Sequence, residues 1–107
     1  DSILMNELVE KWRIRAAEWL DLQEAADILT ETKNDVFAEI KSAQEGSSEA
    51  EKERKARLSP EWKEFRDKML TADAKARRAR LRVKYESMLF DAWRTENANA
   101  RTEKIHG

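Results

Sequence analysis

Cysteine is absent from this sequence, which excludes both a disulfide framework and thiolate chemistry. Proline occurs once and glycine twice in 107 residues, so little in the chain interrupts a long helix. The single histidine, His106, is the penultimate residue, where fraying is expected. No apolar run approaches the roughly 20 residues that span a bilayer. The opening DSILMNELVEKW lacks the basic region and apolar core of a secretory signal. A cytoplasmic protein without membrane contact is the resulting expectation.

What the chain does contain is charge and helix formers. Charged residues make up 40%, with 21 Lys+Arg against 22 Asp+Glu and a net charge of −1. Rich in Ala, Glu, Lys, Arg and Leu, this is the composition of long helices or a coiled coil. Hydrophobic residues also reach 40% and include four tryptophans, which separates the chain from a disordered tail. At this length it forms one small domain at most.

Hydrophobic spacing then organises the chain. From Leu8, steps of four and three alternate through Trp12, Arg15, Trp19, Leu22, Ala26, Leu29, Lys33, Val36, Ile40 and Ala43, and nine of the eleven residues are apolar. Such a seam, sustained for about five heptads, predicts a helix over about residues 3–45, ended by Gly46 in a left-handed conformation. Ser59-Pro60-Glu61 is a strong start signal, with a capping serine, proline at the first position and an acid at the positive end of the dipole. From Trp62 the same rhythm continues through Phe65, Met69, Ala72, Ala76, Ala79, Val83, Glu86, Phe90 and Trp93. It predicts a second helix over about 60–102, with TEKIHG frayed beyond it. In the charged link, 46–59, Ser48-Glu49-Ala50-Glu51 fits a capping box and predicts a short helix at about 48–57.

The architecture expected is all-α: a long antiparallel helical hairpin, coiled-coil-like, dimerising into a four-helix bundle. Facing Ile40 with Trp62 sets the register. Arg15 then lands beside Glu86 and Lys33 near Asp67, giving each seam charge an opposite partner. The stretch KARRARLRVK, Lys75 to Lys84, carries six positive charges in ten residues. The same register sets it along Glu18–Asp27, which holds Glu18, Asp21, Glu24 and Asp27 and no basic residue. The basic run thus reads as half of an internal charge ladder that penalises wrong registers.

A second apolar set falls outside the seam: Ile14, Leu20 and Ile28 on the first helix, with Leu70, Leu81, Met88 and Leu89 on the second. Two helices bury only one stripe each, so this set requires a partner. A homodimer is the economical solution; a heterologous protein is the alternative, and the sequence does not separate them. Ala72, Ala74, Ala76 and Ala79 are expected to bring the helices close at mid-length.

Catalysis finds no foothold. Glu24-x-x-Asp27 and Glu61-x-x-Glu64 have the one-turn spacing by which an all-helical nucleotide pyrophosphatase holds magnesium, but the register keeps the two pairs apart. No Glu-x-x-His pair, Gly-rich phosphate loop or Ser/His/Asp set is present. The expectation is a non-enzymatic interaction or accessory protein with no cofactor and no metal. A nucleic-acid-binding accessory role is the alternative, with Arg77, Arg78 and Lys84 on the outer positions, joined by Lys52, Arg54, Lys55 and Arg57 of the link.

LSPEWKEF, the Ala/Arg-rich helix after it and RLRVKYESMLFDAWRTENANAR together resemble a group of small bacteriophage and prophage proteins, read as long helical hairpins of unestablished function. The likeness covers most of the second helix and the Trp-rich start of the first. It implies a bacterial or phage-infected cytoplasm and, more loosely, proximity to phage DNA replication or recombination. It implies no catalytic residues.

Overall fold

The computed structural model describes the backbone of residues 2–106 and the side chains of residues 3–104. Among them are three helices and no strand: α1 (Ser2–Ser42), α2 (Glu49–Arg57) and α3 (Pro60–His106). Of the described residues, 92% are helical.

α1 runs without a break because neither glycine nor proline occurs before Gly46. It stops at Ser42, earlier than the spacing predicts, because polar side chains at its end serve the last carbonyls. Ser42 Oγ donates to Glu39 O at 2.8 Å and Gln44 Nε2 donates to Ile40 O at 3.1 Å. The expected left-handed Gly46 does not occur, since no described glycine has a positive φ. Space is what the glycine supplies: a Cβ there would sit 3.3 Å from Lys52 Cγ of α2.

α2 begins as its capping signal predicts, with Ser48 in an extended conformation and its Oγ accepting from the Glu51 N–H at 3.2 Å. The reciprocal half is displaced by one residue. The Glu51 carboxylate accepts from the backbone N–H and the hydroxyl of Ser47, at 3.2 and 3.1 Å. α3 starts at the predicted point: Ser59 Oγ accepts from the Trp62 N–H at 3.2 Å and donates to Ala56 O at 2.7 Å, joining the end of α2 to the start of α3. α3 continues to His106, four residues beyond the predicted end at 102, so TEKIH belongs to the helix, although the side chain of His106 lies outside the described set.

The chain divides into two compact units, Leu22–Ala76 in one and Asp1–Asp21 with Arg77–Gly107 in the other. In the unit that contains α2, the α1 and α3 segments are held by aromatic packing. Trp62 meets Phe37 edge to face at 4.9 Å and stacks on Phe65 at 5.7 Å. The ring of Phe37 is capped in turn by the Arg57 guanidinium, 5.1 Å from its centroid. Trp62 therefore packs on a residue one turn before Ile40, the partner the sequence register assigns. Lys41 of α1 reaches Glu49 of α2 at 2.9 Å, and Lys55 Nζ donates to Glu45 O at 2.6 Å, closing the turn. In the other unit, Arg82 of α3 bonds Glu18 of α1 at 2.8 Å. Leu8 and Trp12 share a groove with Phe90, and Phe90 stacks on Trp93 at 6.0 Å. In both units the two long segments run antiparallel.

The seam reading is accurate. Every predicted α3 seam residue from Trp62 to Trp93 is buried or half-buried, as are Leu8, Arg15, Trp19, Leu22, Ala26, Leu29, Val36 and Ile40 on α1. Trp12, Lys33 and Ala43 are the exposed exceptions. The core is thin. Its buried hydrophobic residues among those described are Ala26, Ala56, Ala76, Ala79 and Trp62. Alanine at a seam draws two helices together but removes little apolar surface per residue from water.

Candidate interaction surface

The candidate surface is what this thin seam leaves outside. Ile14, Leu20, Ile28, Leu70, Leu81 and Met88 are all exposed, between 52% and 68% of their full area. Each is helical, so its direction follows from its position relative to the seam rather than from loop conformation. Leu89 is less exposed, at 37%. The structure thus places the whole second apolar set on the surface.

The expected interhelical charge pairs fare differently. Arg15 bonds Glu18 on its own helix at 3.2 Å, while Glu86 is buried and its Oε2 accepts no hydrogen bond. An i,i+3 partner on the same helix needs no crossing of the seam and leaves both groups partly hydrated. Lys33 and Asp67 are both exposed and form no ion pair among the described residues. Trp19 Nε1 is a second buried polar atom without a partner.

Among the described residues, the charge ladder has one ion-paired rung: of the four acids in Glu18–Asp27, Glu18 pairs with the basic run, through Arg82. Asp27 accepts instead from Gln23 Nε2 at 2.9 Å on its own helix. Arg77, Arg80 and Lys84 are exposed and take part in no ion pair among the described residues, while Arg78 is exposed but not without contacts. Two of the four link cations are engaged: Lys55 with Glu51 and the Glu45 carbonyl, and Arg57 with Glu53 and the face of Phe37.

Close hydrogen bonds and charges at the surface shift the ionisation of five groups. The hydrogen bond from Arg13 lowers the pKa of Glu10 and in return raises that of Arg13. The hydrogen bond between Lys41 and Glu49 raises the lysine and lowers the carboxylate. Glu51 is lowered first by the Ser47 backbone N–H, then by its hydroxyl and by the charge of Lys55. Lys41, Glu49 and Glu51 lie at helix ends, and Glu10 and Arg13 lie one turn apart within α1.

Two open grooves flank the seam. One, of about 670 Å³ in the unit containing α2, is floored by Leu22, Ala25, Leu29 and Ala72 and rimmed by charged residues such as Lys63 and Asp67. The other, of about 390 Å³, lies between Leu8, Val9, Trp12 and Phe90 in the second unit. Both have the form of the furrow between two helices, which accepts side chains of another helix. Glu24 and Asp27 on α1 and Glu61 and Glu64 on α3 are exposed. No group of three His, Asp or Glu side chains within reach of one metal ion occurs among the described residues, and no described helix is long and apolar enough to cross a membrane.

Residues outside the expected set also belong to the surface. Glu31, Asp35 and Arg80 are exposed and take part in no ion pair among the described residues. Their signal was available as helical spacing from Glu24 and from Arg77. Compared with known proteins, the chain matches no family model, no curated protein and no solved structure.

Proposed function

We propose that this protein is a non-enzymatic helical interaction protein that acts through protein–protein contacts and whose basic assembly is a homodimer, two helical hairpins packed as a four-helix bundle. The observation that carries this reading is the set of outward apolar side chains, Ile14, Leu20, Ile28, Leu70, Leu81 and Met88, beside a core made of four alanines and one tryptophan. Apolar side chains exposed on helices are what helix-in-groove and bundle contacts use. The bacterial or phage-infected cytoplasm implied by the likeness of the second helix to phage proteins is part of the proposal. Sedimentation velocity tests it. The native chain should associate at micromolar concentration, and Leu81→Glu should weaken association by about tenfold or more, because an unpaired charge is then buried at the contact. A chain that stays monomeric, or a variant that associates as the native chain does, would remove the reading.

Exposed Arg77 and Lys84, neither in an ion pair among the described residues, favour a second reading, an accessory protein that binds nucleic acid. Phosphate contacts release counterions, so such binding must weaken steeply from low to moderate salt. A titration against single- and double-stranded DNA decides it; absence of binding at low ionic strength eliminates it.

A further inference from the structure

Two stripes of the same spacing and opposite sign lie on the exposed surface. On α1, Glu24, Asp27, Ile28, Glu31 and Asp35 follow one another at i, i+3, i+4, i+7 and i+11. On α3, Arg77, Arg80, Leu81, Lys84 and Met88 follow the same intervals. At 100° per residue each set occupies one sector of its helix, about 100° wide. All ten side chains are exposed. The first stripe has four carboxylates around an isoleucine; the second has three cations around a leucine and a methionine. None of these seven charged groups takes part in an ion pair among the described residues. Both helices carry charges of each sign, but within these two stripes the charges are all acidic on α1 and all basic on α3.

From this complementarity we infer that the α1 stripe of one copy docks on the α3 stripe of a second copy. The inference rests on the self-association proposed above and specifies which faces meet. Pairing α1 with α1 would oppose four carboxylates to four, and pairing α3 with α3 would oppose cations to cations. Like charges across an interface are strongly unfavourable, so of the three possible pairings only α1 on α3 attracts. With Ile28 seated against Leu81, either relative direction of the helices sets Glu24 and Glu31 beside Arg77 and Lys84, in one order or the other. Exposed Ile28 (52%) and Leu81 (63%) supply the apolar centre and the charges supply the rim, the arrangement that protein interfaces commonly show.

Charge reversal tests the inference on the full chain. Glu24→Lys with Glu31→Lys makes both stripes basic; Arg77→Glu with Lys84→Glu makes both acidic. Each double variant should self-associate about tenfold more weakly than the native chain by sedimentation velocity. An equimolar mixture of the two should recover association, as should the fourfold variant in which both stripes are reversed. Native association should weaken as salt is raised. Circular dichroism confirms that helix content is retained; if a reversal lowers it, the pairs Glu24→Gln with Glu31→Gln and Arg77→Gln with Lys84→Gln take its place, with association weakened in each. If both double variants associate as the native chain does while Leu81→Glu still dissociates it, self-association stands and this contact is wrong. Failure of the mixture to recover association also overturns it. A native chain that is monomeric but binds a DNA oligonucleotide, with binding lost on Arg77→Glu and Lys84→Glu alone, overturns both readings in favour of phosphate recognition.

Discussion

Arg82 Nη1 lies 2.8 Å from Glu18 Oε1, and this ion pair is the one that joins α3 to α1 among the described residues. Glu18 is shared, because Arg15 holds its other oxygen at 3.2 Å. The side chains of Arg82 and Glu18 remain 45% and 37% exposed, so water competes for both. A double-mutant cycle with Glu18→Gln and Arg82→Gln should give a coupling below about 1 kcal/mol, falling further at high salt. A larger coupling would show that the charge contact dominates this part of the pairing.

Glu86 offers the opposite case. It is buried at a seam position, and its Oε2 has no hydrogen-bond partner. An unsatisfied buried acceptor costs about 1–3 kcal/mol, so Glu86→Met, which keeps length and removes the polar end, should raise stability by that order. Thermal melting followed by circular dichroism measures it. A fall in melting temperature would indicate that another molecule completes the carboxylate in solution.

Trp62 is the one large side chain in the buried set, 8% exposed and in contact with Phe37 and Phe65. Trp62→Ala should destabilise the protein by about 3–5 kcal/mol, since alanine leaves a cavity where the aromatic cluster holds α1 against α3. Urea unfolding provides the measurement. Trp12→Ala, at a position 43% exposed, should cost distinctly less.

The turn around α2 should loosen in acid. Glu49 and Glu51 both have pKa values lowered from an ordinary 4.5, by the Lys41 and Ser47 hydrogen bonds respectively. A carboxylate lowered in the folded state contributes stability that is complete above its unfolded value and lost as pH falls through the folded one. Protection of the α2 amides against hydrogen exchange should therefore decline below about pH 4.5. Glu51→Gln should flatten the dependence, whereas an unchanged profile would count against the cap. The effect will be small because both groups are solvated at the surface.

The helices and the seam were legible in the sequence because both depend on local or periodic terms. Ser59-Pro60 fixes where α3 can begin, since proline has no N–H to lose at a first helical position and serine supplies an acceptor. A repeat of 3.5 residues identifies the buried face whatever it packs against, and the residues from Trp62 to Trp93 obey it. Ends and ionic partners were less legible. α1 stops at Ser42 through side chains at its end, and Gly46 leaves room for the close approach of Lys52 from α2. The first contact is local but competes with continued helix, and the second exists only once the chain has turned into α2.

The amino-acid order by itself determined that the chain is helical, where its helices begin and which stripe of each is buried. Only the tertiary structure decided which charges are spent and which are left over: Arg15 with Glu18, Arg82 with Glu18, Glu86 with no bond to its Oε2, and the two outward stripes in no ion pair among the described residues. Burial follows from periodicity over many residues, whose contributions accumulate. An exposed ion pair contributes about 1 kcal/mol or less, and its partner is chosen by rotamer, reach and competition from the same helix and from water.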